Sequence, residues 1–342
     1  MKIIVDAFGG DNAPLDILKG CEMAVKKYGD VQIVLTGDEA TIRKVSKENG
    51  ISLSKMEIVH APDVMAMEEH PNQLTKSKKN SSMAVAMRLL SEGGGDGLVG
   101  AGSTGAMLVG ATLIVKRIKG VKRPALSPIM PGDTTPFMLI DCGANADCRP
   151  EMLCQFAQMG SVYMKAVAGV ANPRVGLANI GTEETKGDEL RKETYKLLSE
   201  LKNINFVGNV EARDIPFSVC DVVVTDGFTG NIILKMYEGV ASALMGKFKQ
   251  VFKKSLKNKL AAASIMGDLK IMKKDLDYSE YGGAPFIGVK KPVFKAHGSS
   301  DAKTFCNAIG QTAEFIRADV IGQIEQSVGV FEKADENAEQ GE

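Results

Sequence analysis

Short apolar runs alternate with amphipathic stretches along most of this chain. Ile3–Ile4–Val5, residues 31–35, 57–60, Gly97–Leu98–Val99, Phe137–Met138–Leu139–Ile140, Val175–Gly176–Leu177–Ala178, 205–210, 222–225 and Val293–Phe294–Lys295–Ala296 read as strands. They are short, continuous and bounded by turn residues. Helical spacing or composition predicts helices over 14–28, 38–49, 81–92, 106–115 and 151–167. A terminal helix carries the stripe Ala302, Phe305, Ile309, Ile316, Val320 and Ile324, with Ser299 or Ser300 as its N-cap. This alternation predicts an α/β fold, a mostly parallel sheet flanked by helices. Tyr281–Gly282–Gly283–Ala284–Pro285 reads as a turn. Residues 62–80 are polar, Met-rich and aperiodic. A loop of that length reads as a lid or docking segment, or as a plain surface excursion.

The strand ends share a pattern: small polar residues and glycine, then a helix. Gly100–Ala101–Gly102–Ser103–Thr104–Gly105 states it most fully. Glycines permit positive φ and close approach, and the following helix start offers unpaired N–H groups and a positive dipole end. Ser103 and Thr104 add hydroxyls. The expected occupant is a small anion, phosphate above all. The spelling also matches the dinucleotide fingerprint, which needs an acidic residue about 20 positions on; residues 122–128 contain none. A purely structural tight turn is the bland alternative. Ligands of open α/β sheets bind beyond the carboxyl ends of strands, so turns at 6–12, 100–105, 141–145, 179–187 and 225–231 are expected to line one cleft. Ordinary loop chemistry uses the same residue types.

Residues 235–277 differ. Met245, Phe248, Phe252, Leu256 and Leu260 recur at helical spacing, with Lys247, Lys249, Lys253, Lys254, Lys257 and Lys259 around them. Ala261 to Met266 form an apolar tip, and a second basic stretch holds Leu269, Ile271 and Met272 beside Lys270, Lys273 and Lys274. The reading is a protruding helical hairpin over 245–277. Leu256, Leu260, Ala262, Ile265 and Met266 would touch an anionic membrane surface; a dimer interface is the alternative. Residues 331–342 read as an acidic disordered tail beyond a single domain over 1–330.

Composition narrows the partners. Of 342 residues, 44% are hydrophobic, and 42 basic residues balance 42 acidic ones. No global field attracts nucleic acid. Six cysteines form no C-x-x-C pair and no leader-like run precedes the first strand. A reducing cytoplasm is therefore expected.

Six motifs together resemble a known family. They are Val5–Asp6–Ala7–Phe8–Gly9–Gly10–Asp11–Asn12–Ala13–Pro14, Gly102–Ser103–Thr104–Gly105–Ala106, Asp141–Cys142–Gly143–Ala144–Asn145, Asn179 through Gly187, Thr225 through Asn231, and His297–Gly298–Ser299–Ser300. In this order they resemble the bacterial acyl-carrier-protein:phosphate acyltransferases of phospholipid synthesis, over about residues 1–330. The resemblance implies a fold like the isocitrate/isopropylmalate dehydrogenases and phosphotransacetylases, a homodimer, and no metal or cofactor. It implies transfer of a long fatty acyl group from acyl carrier protein to inorganic phosphate. The acyl phosphate would feed a downstream acyl-phosphate:glycerol-3-phosphate acyltransferase, from a cytoplasmic position peripheral to the membrane.

The residues fit such chemistry. Phosphate must be aimed at a thioester carbonyl, and the developing oxyanion needs a donor or cation. Lys186 is the candidate cation, with Asp226 orienting it or the phosphate, and Asn231 hydrogen-bonding substrate. Asp226 and Asn231 can equally be caps, and Lys186 a solvent lysine. Asp6, Gly10, Asp11, Gly102, Ser103, Thr104, Asn145, Thr225, Thr229, Gly230, His297 and Ser299 complete the expected phosphate and substrate site. No adjacent Cys–His or Ser–His–Asp pattern suggests a covalent acyl-enzyme. An apolar acyl channel is expected near Met245, Phe248 and Phe252, and acidic acyl carrier protein would dock on Lys76, Lys78 and Lys79 or on the hairpin. Rival readings are a short-chain phosphotransacetylase using coenzyme A thioesters, a metal-dependent dehydrogenase, and a non-catalytic membrane-surface adaptor.

Overall fold

The structure, a computed structural model, describes residues 1–275 and 281–327, without the side chains at 270 and 273–275. The acidic tail and the last residues of the expected hairpin, 276 and 277, lie outside the described residues. In chain order the strands are β1 (Lys2–Asp6), β2 (Gln32–Gly37), β3 (Met56–His60), β4 (Gly97–Gly100), β5 (Ala125–Leu126), β6 (Ile129–Met130), β7 (Phe137–Ile140), β8 (Arg174–Asn179), β9 (Asn205–Glu211), β10 (Val222–Val224), β11 (Ala284–Ile287) and β12 (Val293–Lys295). The helices are α1 (Leu15–Lys27), α2 (Glu39–Glu48), α3 (Ser82–Ser91), α4 (Thr104–Gly110), α5 (Pro150–Ala166), α6 (Glu189–Glu200), α7 (Gly227–Lys253), α8 (Leu256–Ser264), α9 (Met266–Asp275) and α10 (Ala302–Arg317).

The strands form two sheets rather than one. The first has the order β3-β2-β1-β4-β12-β11-β5 and the second β6-β7-β10-β8-β9. Both are parallel except at their shared boundary, where β11 and β5 run antiparallel to their neighbours and β6 runs antiparallel to β7. The six residues 125–130 hand the chain from one sheet to the other. Leu126 oxygen accepts from Cys142 N–H at 2.9 Å, and Pro128 oxygen accepts from Leu139 N–H at 3.1 Å. These two strands are two residues each, too short to show any period.

Burial explains the strand composition. Ile3, Ile4 and Val5 are fully buried, as are Val222, Val223 and Val224; each such side chain contributes about 1.5–3 kcal/mol. Parallel strands covered on both faces read as unbroken apolar runs for this reason. One core spans both sheets on the face covered by α1, α5 and α10. A second lies under α3, α4 and the 62–80 segment, and a third joins the second sheet to the first turns of α7. Helix α1 lies against α10 at Gly20, where a Cβ would meet Ala302 oxygen at 2.8 Å.

Several boundaries differ from expectation. The 281–285 turn is shorter, because β11 begins at Ala284. Asp301, not Ser299 or Ser300, caps α10, accepting from Thr304 N–H at 2.8 Å. The terminal helix breaks at Asp319, where φ is 46°, before resuming to 327. Residues 62–80 pack down on the body: Met65 and Leu74 are buried, and Lys78 pairs with Glu69 at 3.0 Å. The 106–115 helix starts at Thr104 and loosens into a π-turn over Ala111–Val115, with Leu113 exposed. The hairpin is a three-helix run instead. Helix α7 is continuous from Gly227, so 245 is not a boundary, and α8 and α9 follow as separate short helices.

Candidate active site

The carboxyl ends of β1, β4 and β12 lie side by side. Val5 pairs with Val99, Lys295 with Gly100, and Ala296 N–H donates to Gly100 oxygen at 2.8 Å. The loops that leave these strands interlock. Asp11 N–H donates to Gly298 oxygen at 2.8 Å, and Asn12 Nδ2 reaches Ser299 and Ser300 oxygens at 3.3 Å. A Cβ on Gly9 would stand 2.6 Å from Gly102 nitrogen, so only glycine permits that approach. Loops 6–12, 100–105 and 296–300 therefore form one cluster.

Asp6 is the buried member of that cluster, its carboxyl beside Gly9 and Gly102. Its carboxyl is buried, accepts from Phe8 N–H at 3.2 Å, and is pushed up in pKa by loss of water, against hydrogen bonds from Ser82 and the loop amides.

The second sheet supplies a matching cluster. Asp141 N–H donates to Thr225 oxygen at 3.0 Å and Gly227 N–H to Asn145 oxygen at 2.7 Å. The Asp141 carboxyl is the knot. It accepts from Leu126 N–H (3.0 Å), Ala144 N–H (3.2 Å), Asn145 N–H (2.7 Å) and Asn145 Nδ2 (2.8 Å). Burial pushes this acid up to about 6 against those four donors, which favour the carboxylate. Asp141 and Asn145 thus hold the loop to the strap between the sheets. Thr225 is fully buried, and its hydroxyl finds no partner among the described residues.

Asp226 caps α7, accepting from Thr229 N–H at 2.8 Å. Its partner is Arg191 of α6, not Lys186. The Arg191 guanidinium reaches Asp226, Thr229 Oγ1 at 3.1 Å and Asp188 at 2.8 Å. Lys186 lies in a loop folded on itself, its stem over Gly181 and its carbonyl accepting from Asn179 Nδ2 at 3.1 Å. No residue of the 179–187 loop borders the cavity that lies between the two clusters.

Between the two clusters lies a cavity of about 290 Å³. Thr104, Lys295 and His297 border it from the first sheet, and Cys142, Gly143, Asn231, Lys235 and Glu238 from the second. Leu126, Pro128, Ile129, Leu234 and Ala284 give it an apolar wall. Of the expected site residues, Thr104, Asn231 and His297 face this space. Gly10, Asp11, Gly102, Ser103 and Ser299 stand behind Thr104 and His297 in the interlocked loops. Asn145, Thr225, Thr229 and Gly230 brace the opposite wall. The Lys235 ammonium pairs with Glu238 at 2.9 Å. His297 Nδ1 lies 2.8 Å from Ser299 Oγ, and burial with the nearby Lys235 charge lowers its pKa. Burial likewise lowers Lys295, to about 8. Lys235 and Lys295 escaped the sequence reading. Lys295 ends a strand as one polar residue among apolar ones, and nothing in that pattern marks it as facing a cavity.

Cys142 also borders the cavity, donating to Gly230 oxygen at 3.4 Å. Burial and the Asp141 charge push its thiol well above the ordinary range. A thiol is a nucleophile only as thiolate, so Cys142 is inert at neutral pH. Among the described residues no group of three or more His, Cys, Asp or Glu side chains is placed to hold a metal ion.

Comparison with known proteins shows the family of the chain. The model of a family described as "Fatty acid synthesis protein" matches residues 1–323. A phosphate acyltransferase of Clostridium perfringens strain SM101 is 48% identical over 328 residues, 96% of this chain and 97% of the relative. Another, from Clostridioides difficile strain 630, is 44% identical over 340 residues, 99% of each. The chain belongs to the phosphate acyltransferase family. It is an acyltransferase, and the acceptor is phosphate. Among solved structures, a phosphotransacetylase from Streptococcus pyogenes superposes with a TM-score of 0.60 at 16% identity, covering 94% of each chain. That likeness establishes the shared α/β fold.

The expected membrane segment is partly exposed. Leu256, Leu260, Ile265 and Met266 are 75, 65, 42 and 45% exposed. Ala262 is turned inward and buried, so it offers no contact to a surface. Met245, Phe248 and Phe252 lie on the distal half of α7, away from the cavity, with the two phenyl rings stacked at 6.5 Å. Among the described residues no helix is long and apolar enough to cross a membrane.

Proposed function

We propose that this phosphate acyltransferase takes a long-chain fatty acyl group from the thioester of acyl carrier protein and passes it to inorganic phosphate for phospholipid synthesis. One observation carries the reading. The cavity between the sheets is bordered by Thr104, Asn231, Lys235, Lys295 and His297, with Glu238 paired to Lys235, and by the aliphatic side chains of Leu126, Ile129 and Leu234, which suits an anion meeting a fatty thioester. Hydrogen phosphate attacks the thioester carbonyl, the C–S bond breaks, and the phosphate proton ends on the departing sulfur. The products are acyl phosphate and free thiol. Phosphate attacks directly, because the cysteine at the cavity is not ionised and positioning supplies the main acceleration. Arg191, Asp226 and Thr229 set the first turn of α7 and so aim Asn231 into the cavity.

Purified protein given phosphate and palmitoyl-acyl carrier protein, without added metal or cofactor, is expected to release carrier thiol and acyl phosphate. No thiol release would remove the proposal. Faster turnover with acetyl-coenzyme A than with palmitoyl-carrier would favour the short-chain reading instead, the activity named for the Streptococcus pyogenes neighbour.

The remaining partners rest on the helices beyond the cavity. Phe228, Ile232, Met236 and Leu244 leave an apolar face of α7 more than half exposed, which suits a second copy of the chain in a homodimer. The exposed tip of α8 and α9, ringed by Lys253, Lys254, Lys257 and Lys259, suits an anionic membrane surface. The protein would then work in the cytoplasm, bound peripherally, and deliver acyl phosphate to a glycerol-3-phosphate acyltransferase there. The triple change Leu256→Glu, Leu260→Glu and Ile265→Glu is expected to abolish flotation with vesicles of anionic phospholipid while leaving turnover in solution intact. Flotation that persists would refute the tip as the contact.

A further inference from the structure

Lys295 is the odd residue of its strand. It closes β12 after Val293 and Phe294, both fully buried, and stands in register with Gly100 at the start of the glycine-rich turn. Its side chain borders the cavity beside Thr104 and His297. The ammonium donates one hydrogen bond, to Ala296 oxygen at 2.8 Å. No carboxylate among the described residues lies within 4.0 Å of it.

A charge removed from water is costly unless it is paired. Lys295 is partly buried, and its ammonium has a single backbone carbonyl as partner among the described residues. The facing groups do not balance it: Lys235 repels it, Asp11 attracts it from beyond pairing distance, and the Lys235 charge is itself met by Glu238. Desolvation and the Lys235 charge lower the pKa of His297 beside it. Two of the three ammonium protons remain available to an anion in the cavity.

We propose that Lys295 is a catalytic residue, the cation that binds the attacking phosphate and holds it against the acyl thioester. The assignment rests on the acyl-transfer reading and replaces Lys186, which is not among the residues bordering the cavity. Phosphate oxygens accept from Nζ and from Thr104, and the bound dianion restores water's lost compensation. The group then has a defined working range. As the ammonium it holds phosphate. Above pH 8 its lowered pKa leaves it neutral in the free enzyme, so kcat/KM for phosphate falls as pH rises through about 8.

The test measures kcat/KM for inorganic phosphate with a saturating palmitoyl thioester, and separately phosphate binding by calorimetry. Lys295→Met is expected to lower kcat/KM for phosphate by about 10²-fold, with KM for the thioester unchanged and no calorimetric phosphate binding. Lys295→Arg keeps its charge at every accessible pH. It is expected to retain partial activity and to lose the alkaline limb near pH 8. Alkylammonium ions are expected to restore part of the turnover of Lys295→Ala. Wild-type kcat/KM in Lys295→Met would overturn the assignment while leaving acyl transfer standing. So would an unchanged alkaline limb in Lys295→Arg, which decides the matter should the Met variant misfold. Were the wild type to produce no acyl phosphate, the acyl-transfer reading would fall. Calorimetry would still decide Lys295: phosphate binding equal in both proteins would end the proposal.

Discussion

Replacing Arg191 with Met lowers stability by about 3–5 kcal/mol, the cost of leaving a buried charge without its partner. Arg191 is 14% exposed at its side chain and Asp226 7%, so solvent does little to screen their contact. With the guanidinium gone, Asp226 keeps two hydrogen bonds from Thr229, from N–H and Oγ1, each at 2.8 Å, and loses the one cation paired with it among the described residues. Asp188 and Thr229 lose a donor as well. Urea denaturation measures the effect as a shift in midpoint at constant slope. The double change Arg191→Met with Asp226→Asn is expected to cost less than Arg191→Met alone, because the stranded charge is absent. A loss under about 1 kcal/mol for Arg191→Met would place the pair among ordinary surface ion pairs and end its role as the brace of α7.

The same substitution on one helix has opposite effects at two positions. Gly230 sits in the first turn of α7 against the Asp141 carbonyl. A Cβ there collides with that oxygen and stands 2.9 Å from Thr225 Cγ2. The obstruction is backbone fixed by the Asp141 N–H bond to Thr225 oxygen and the Thr225 N–H bond to Ile140 oxygen, so it cannot rotate aside. Gly230→Ala is expected to lose about 3 kcal/mol, the upper range for overpacking, and to displace Asn231 from the cavity wall. Gly239 lies about two and a half turns on, with nothing within 4 Å of an added Cβ. Gly239→Ala is expected to gain nearly 1 kcal/mol from helix propensity alone. Thermal unfolding of the two variants beside the parent reads both signs in one experiment. A neutral Gly230→Ala would show that α7 does not pack on the Asp141 loop as described.

The elements most plainly written in the chain are those whose burial imposes a pattern. Ile3–Ile4–Val5 and Phe137–Met138–Leu139–Ile140 are covered on both faces, so their apolar runs announce strands. The loops after them carry glycines where backbones meet, and that signal located both clusters. Four things were not legible. β5 and β6 span two residues each, and no periodicity exists at that length. β11 hides behind Gly282 and Gly283, because both Ala284 and Pro285 of the expected turn belong to the strand. The cation opposite Asp226 is 35 positions away in Arg191, and proximity in sequence favoured the wrong candidate, Lys186. Only the neighbouring of β8 and β10 in the second sheet brings α6 beside the start of α7. The split into two sheets escaped for the same reason: the pairing of Ala125–Leu126 with Phe286–Ile287 is long-range and leaves no local trace.

Helix α7 has a mechanical consequence. Its 27 residues make a rod about 40 Å long, fastened to the body by its first turns and increasingly bare toward Lys253. Lys235 at the cavity and Lys253 near the tip are separated by about 27 Å of that rod. The helix is an outrigger of fixed reach. Whatever surface catches its outer end holds the reaction chamber at a set height, so an amphiphilic product leaves at a standing distance from the landing point, and lengthening or shortening the rod by a turn would reset that gap by about 5 Å.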